Sequence, residues 1–178
     1  FSMGNDIADY NNDGQLDIIT VDMLPPEEKI VKTYGSDENP DIYKVKLEIQ
    51  GYQKQYSKNC LQRNNGNGIS FSETALQSGV AATDWSWSPL LADYDNDGLK
   101  DLFITNGYRQ DITNLDFIKF SERTSRMGTA EANKKERLDM LAKIPGIKVH
   151  KYAYQNNGNL TFTDQSEAWG LSSFAYSN

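Results

Sequence analysis

Apolar residues along this chain fall into short runs rather than long helical stripes. "LDIITVD" (16–22) and "KDLFITN" (100–106) are rich in β-branched and aromatic residues and lack helical spacing, which predicts buried strands. "ISFSE" (69–73) and "LTFTD" (160–164) alternate as half-buried strands do. Each follows an Asn-Gly cluster, "NNGNG" or "NNGN", whose residues accept positive φ and so turn a hairpin. Two stretches break the pattern. Residues 22–58 carry "LPPEE" and a polar, Tyr-containing segment with weak periodicity around "IYKVKLEIQGY". Residues 107–150 predict helices. Leu115, Phe117 and Ile118 gather on one side of the first; Thr129 reads as N-cap of the second, with Leu138 and Leu141 buried and Pro145-Gly146 as its stop.

These elements repeat. "FSMGNDIADYNNDGQLDIITVD" (1–22) aligns with "WSWSPLLADYDNDGLKDLFITN" (85–106), so that Asp9 matches Asp93. "RNNGNGISFSETALQSGVA" (63–81) aligns with "QNNGNLTFTDQSEAWGLSS" (155–173) after one deletion in the later copy, and the terminal "FAYSN" resembles the start of a third copy. The expected organisation is a first repeat over 1–84 with an insertion at 22–58, a second over 85–173 with a mainly helical insertion at 107–150, and the opening of a third at 174–178.

Charge then narrows the function classes. The 178 residues carry a formal net charge of -7, with much of the acid gathered in two loops. Nucleic-acid binding relies on Lys and Arg contacts to phosphate, so an acidic chain without a basic stripe argues against it. No run approaches the roughly 18 apolar residues of a membrane helix, and the N-terminus has no basic-then-apolar leader, so the expectation is a soluble piece. Cys60 is the single cysteine, which excludes an internal disulfide and a thiolate metal cluster.

The acidic loops carry the candidate chemistry. "DYDNDGLKD" puts Asp93, Asp95, Asp97 and Asp101 at positions 1, 3, 5 and 9, with the Leu99 carbonyl at position 7. "DYNNDGQLD" offers Asp9, Asn11, Asp13, the Gln15 carbonyl and Asp17. Both are hard, oxygen-only sets suited to Ca²⁺, which takes about six to eight oxygens in flexible geometry, and two Ca²⁺ sites are expected. Gly14 and Gly98, at position 6, permit the sharp turn. An EF-hand would need Glu at position 12 and a helix on either side, whereas Thr20 and Ile104 stand there inside strand-like runs.

These motifs resemble the FG-GAP or VCBS repeats of integrin-α-like β-propellers. More narrowly, "DWSWSPLLADYDNDGLKDLFITNGYRQDITNLDF" is similar to large VCBS-repeat proteins of Bacteroidetes-type bacteria, related to those with ASPIC/UnbV and cartilage-acidic-protein-like domains. The resemblance covers about half the chain, whose longer period reflects the insertions. It implies an all-β fold of β-propeller blades, a partial propeller with Ca-binding loops. Each blade would have four antiparallel strands, the calcium loop joining one strand pair to the next. Propellers close with about four to eight blades, so the chain is expected to be a segment of a longer protein and to pack against neighbouring blades.

Catalytic signals are sparse. Neither Cys60 nor any serine sits in a nucleophile elbow, and the only histidine, His150, precedes a strand-like "KYAYQ" and reads as a packing or surface residue. Trp85 and Trp87, alternating with serines, are expected to pack between blades, while Trp169 is the better candidate for a surface contact. The insertions either carry partner contacts or cover apolar blade surface. The resulting expectation is a non-enzymatic, calcium-stabilised scaffold of a secreted or cell-surface protein, on the bacterial outer-membrane exterior. It would bind protein or glycan, such as a nutrient-uptake complex. The alternative is an accessory part of a polysaccharide-processing enzyme whose catalytic residues lie outside the segment.

Overall fold

The computed structural model describes residues 2–33, 40–54, 56–108, 115–126, 130–144 and 149–175. The expected Thr129 cap, the Pro145-Gly146 stop and residues 176–178 lie outside them. Two compact units emerge: one of Phe1–Pro26, Ser57–Arg109 and Lys148–Asn178, the other of Glu27–Tyr56 and Gln110–Ile147.

The first unit is antiparallel β-structure. Its first sheet has the order β1 (Gly4–Ala8), β2 (Asp17–Val21), β4 (Cys60–Asn64), β5 (Phe71–Glu73). Its second has the order β10 (Phe162–Asp164), β9 (Tyr152–Asn156), β7 (Asp101–Asn106), β6 (Asp84–Ala92), β3 (Met23–Leu24). The registers repeat with the sequence. Ala8 faces Asp17 and Ala92 faces Asp101, so each acidic loop closes the hairpin between the first two strands of its sheet. It does not lead from one strand pair to the next, as the resemblance implied. Asn64 faces Phe71 and Asn156 faces Phe162, so each Asn-Gly cluster turns the outer hairpin.

Two short strands follow a pattern of their own. β3 leaves the first repeat and pairs with the start of β6, Met23 facing Trp85. β8 (Val149–His150) likewise pairs with β11 (Phe174–Ala175), in the segment that resembles a third copy. In both cases a residue pair between the second and third strands of one repeat adds an edge to the strand that opens the next.

The core lies between the two sheets. Tyr10, Ile19, Val21, Leu61 and Val80 of the first repeat form one apolar cluster with Leu91, Leu102, Ile104, Tyr152, Tyr154 and Phe162 of the second. Tyr10 stacks on Phe162 at 5.9 Å between ring centroids. The inner strands also approach closely: a Cβ on Gly4 would stand 2.3 Å from the Trp87 carbonyl oxygen, so only glycine fits there. The short helix α3 (Ala75–Ser78) follows Thr74 and stops at Gly79, whose φ of 82° forms the left-handed cap.

The tryptophans of β6 differ from expectation. Asp84 and Ser86 take the buried positions of that strand, and Trp85 and Trp87 are half-buried. Trp85 packs on Tyr108, with centroids 4.3 Å apart, and Trp87 Nε1 donates to the Gly107 carbonyl at 2.6 Å.

The second unit is helical. α1 (Glu28–Thr33) and α2 (Pro40–Glu48) come from the first insertion, α4 (Leu115–Arg126) and α5 (Ala130–Lys143) from the second. The first insertion is therefore helical as well, which its weak periodicity did not reveal. α4 is amphipathic and packs against α5, its Leu115, Phe117 and Ile118 half-buried as predicted. Leu138 corrects the expectation for α5: it is 56% exposed, and Leu141 alone of that pair is half-buried.

Candidate metal centre

The two acidic loops fold alike because their residues impose the same turns. Asn12 and Asn96 take left-handed φ values of 56° and 63°, and Gly14 and Gly98 take 83° and 90°. Asn tolerates that region better than most side chains, and Gly pays no Cβ penalty there. Each turn is then wired by the opening carboxylate. Asp9 accepts the N–H groups of Asp13 and Gly14 at 3.0 and 2.8 Å; Asp93 accepts those of Asp97 and Gly98 at 3.2 and 3.0 Å. At position 5, Asp13 accepts from Gln15 N–H and Asp97 from Leu99 N–H.

The closing carboxylates are different in kind. Asp17 and Asp101 are fully buried. Asp17 accepts N–H bonds from Tyr10 and Asn64, and Asp101 from Tyr94 and Asn156. Burial raises the pKa of both above the ordinary carboxylate value. The backbone donors oppose that rise, while Asp13 and Asp9 around the first, and Asp95 and Asp97 around the second, add to it. Each closing carboxylate, when ionised, is buried among the other carboxylates of its own loop, and a divalent cation would relieve that repulsion.

The loops part company in how their carboxylates converge. Asp93, Asp95 and Asp101 bring one ligand oxygen each to within 4.8 Å of one another. Among the described residues no other group of three His, Cys, Asp or Glu side chains does so. In the first loop the third position is Asn11, whose amide donates to Asp13 at 2.9 Å. The donor chemistry of the second loop fits a hard cation: three carboxylates, of which one is buried and prefolded by backbone N–H groups. Asp97, the expected ligand at position 5, is not part of that converging group, and Asp9, Asp13 and Asp17 of the first loop form no such group.

Sequence reasoning missed the second half of this site. Asn64 and Asn156, the first residues of the Asn-Gly clusters, were read only as turn formers. Asn64 donates its side-chain amide to the Leu16 carbonyl, and Asn156 to that of Lys100, which ties each outer turn to its acidic loop. Gln155 adds a bond to Asp95 at 2.6 Å. The signal was present in the sequence, since an Asn-Gly cluster follows each acidic loop, 47 residues after Asp17 in one repeat and 55 after Asp101 in the other.

The other singled-out residues lie elsewhere. His150 is half-buried in β8, its Nδ1 2.9 Å from the Lys151 carbonyl and its ring 4.3 Å from that of Tyr152. Cys60 is half-buried beside Lys58. Trp169 packs edge-on against Tyr94 and with Asp95, Phe103, Ala153 and Leu171 lines an open cavity of about 260 Å³. Among the described residues, no helix is long and apolar enough to cross a membrane.

A family model for the FG-GAP-like repeat matches residues 36–104. That span takes in β4, β5, α3, β6 and the second acidic loop and ends inside β7, so it crosses from the first sheet into the second. No curated protein and no solved structure matches the chain.

Proposed function

We propose that this chain is a calcium-stabilised pair of β-propeller blades, of the VCBS-repeat kind related to ASPIC/UnbV proteins. It serves as a binding or adhesion scaffold for protein or glycan in a secreted or cell-surface protein and performs no catalysis of its own. The observation that carries the reading is the convergence of Asp93, Asp95 and Asp101 in a loop that the FG-GAP-like match includes. The cation would be held by these three with Asp97 and the Leu99 carbonyl. In the first loop Asp9, Asn11, Asp13, Asp17 and the Gln15 carbonyl would hold it. Its chemistry there is charge neutralisation: it offsets the repulsion among the carboxylates and pins the hairpin bend. Ligands supplied wholly by one short loop leave little room for an activated water, which favours a structural over a catalytic ion.

Extracellular calcium modules bind with dissociation constants of about 10⁻⁴–10⁻³ M, so such loops fill where calcium is abundant. This supports an exterior location such as the bacterial outer surface. A ligand at about 100 times its dissociation constant stabilises the fold by roughly 2.7 kcal/mol per site. Calorimetric titration and thermal unfolding in calcium, magnesium and chelator test the proposal. The melting temperature is expected to rise with calcium and far less with magnesium, and Asp95→Ala to remove the second loop's share of the gain. Equal melting in calcium and in chelator would refute it.

A further inference from the structure

Four Asn-Gly pairs stand in this chain: Asn65-Gly66, Asn67-Gly68, Asn106-Gly107 and Asn157-Gly158. A glycine after asparagine has no Cβ to shield its backbone nitrogen, which can therefore approach the preceding side-chain amide. We infer that the two outer turns are sites of spontaneous asparagine deamidation, and that Asn64 and Asn156 hold it in check. The inference rests neither on bound calcium nor on the proposed scaffold role.

The reaction needs only water. The glycine nitrogen loses its proton and bonds to the asparagine Cγ, the Cγ–Nδ2 bond breaks, and ammonia leaves. Water then opens the cyclic imide at either carbonyl, giving aspartate or isoaspartate. Burial does not prevent this in the outer turns, because residues 65–68 and 157–158 are exposed. Asn106 differs: it is fully buried, and the Gly107 N–H donates to the Trp85 carbonyl at 3.2 Å. Isoaspartate would carry the side-chain methylene into the main chain of a tight hairpin, where the Asn65 N–H pairs with the Ser70 carbonyl at 3.0 Å.

What the exposed turns have instead is an acceptor for each attacking nitrogen. Gly66 and Gly68 both donate to Asn64 Oδ1, at 3.0 and 3.1 Å, and Gly158 donates to Asn156 Oδ1 at 3.0 Å. A nitrogen so held must give up its hydrogen bond before it can attack. The two guards are themselves fixed: Asn64 is 7% and Asn156 3% exposed, and their amides donate to the Leu16 and Lys100 carbonyls. The amides under attack are anchored as well. Asn65 Oδ1 accepts from the Ser72 hydroxyl at 2.8 Å and Asn157 Oδ1 from that of Thr163 at 3.1 Å. Asn67 Oδ1 accepts the N–H groups of Ile69 and Ser70. Asp-Gly steps form the same imide by loss of water, and there too the nitrogen is taken: Gly14 donates to Asp9 and Gly98 to Asp93. Every Asn-Gly and Asp-Gly step of the chain thus has its glycine N–H engaged.

Ageing the chain in mildly alkaline buffer, followed by peptide mapping in a mass spectrometer, tests this, with an isoaspartyl methyltransferase as probe for the isomerised product. In the folded parent Asn65, Asn67 and Asn157 are expected to deamidate about tenfold or more slowly than in the same chain unfolded in guanidinium. Asn64→Ala is expected to speed the reaction at Asn65 and Asn67 roughly tenfold and leave Asn157 unchanged, and Asn156→Ala to do the reverse. Circular dichroism establishes that each variant folds. Amide hydrogen exchange of the parent needs no variant: Gly66, Gly68 and Gly158 are expected to exchange far more slowly than in the unfolded chain. Equal deamidation of folded and unfolded parent, a folded variant that leaves its own turn unchanged or speeds both turns alike, or unprotected glycine amides would each overturn it.

Discussion

Tyr10 and Tyr94 occupy the same place in two sheets built from the same pattern, yet the first is sealed and the second open. Tyr10 is fully buried and stacked on Phe162, and Tyr94 meets Phe103 and Trp169 edge-on with 41% of its surface in solvent. The hairpin register next to each loop and the bond from each tyrosine N–H to its closing Asp are the same. Local sequence therefore sets each sheet, and a neighbouring sheet sets which residues become core.

Truncating the two tyrosines breaks the comparison if it is wrong. Removing a buried aromatic side chain costs about 3–5 kcal/mol, from lost burial and the cavity left behind. Tyr10→Ala is expected to cost that much by urea unfolding in dilute solution, and Tyr94→Ala about 1 kcal/mol or less. Equal losses would mean that the second face is covered in solution or that the first is looser than its burial implies.

The closing carboxylates sharpen the comparison from the other side, since here the two sheets are alike. Asp17 and Asp101 each satisfy two buried backbone N–H groups. Replacing either by Ala strands both donors, at about 1–3 kcal/mol each, offset in part by relief of a buried charge. In chelator both variants are expected to lose roughly 3 kcal/mol. In calcium the Asp101→Ala loss is expected to exceed that of Asp17→Ala, because three carboxylates converge only around Asp101. Losses that stay equal with calcium present would place the two loops on the same footing.

Much of this was written in the chain before folding. The strands after the acidic loops, the turns at the Asn-Gly clusters and the helicity of the second insertion follow from local chemistry, and "DYDNDGLKD" announces its own turn. What escaped depends on distant partners. β3 is two residues long and exists because Met23 and Leu24 find the edge of β6. Trp85 and Trp87 look like core residues by type, but the strand's phase gives the buried positions to Asp84 and Ser86. Asn64 and Asn156 look like turn residues until their amides are seen to hold the acidic loops. Leu138 fits a helical pattern that nothing in the sequence required to be covered.

The smallest expected effect separates the sheets at their outer hairpins. In the first, Glu73 receives Lys58 Nζ at 2.6 Å and the N–H groups of Ala75 and Leu61 at 2.8 and 3.3 Å. In the second, its counterpart Asp164 instead accepts from the N–H and hydroxyl of Ser166. Burial works against the charge on Glu73, but Lys58 and the two N–H groups outweigh it and hold the carboxyl below its ordinary pKa. A carboxylate depressed in the folded state adds stability that is fully present above its unfolded pKa and lost as the pH falls through the folded one. Glu73→Gln is therefore expected to cost about 1 kcal/mol near neutral pH, the scale of a partly exposed charged hydrogen bond. That cost should fade in acid, where parent and variant converge. Because Asp17 and Asp101 titrate identically in both proteins, the difference between their urea midpoints against pH isolates Glu73. A difference that stays constant down to acid pH would show that Glu73 acts by packing, and the two outer hairpins would then differ in shape rather than in charge.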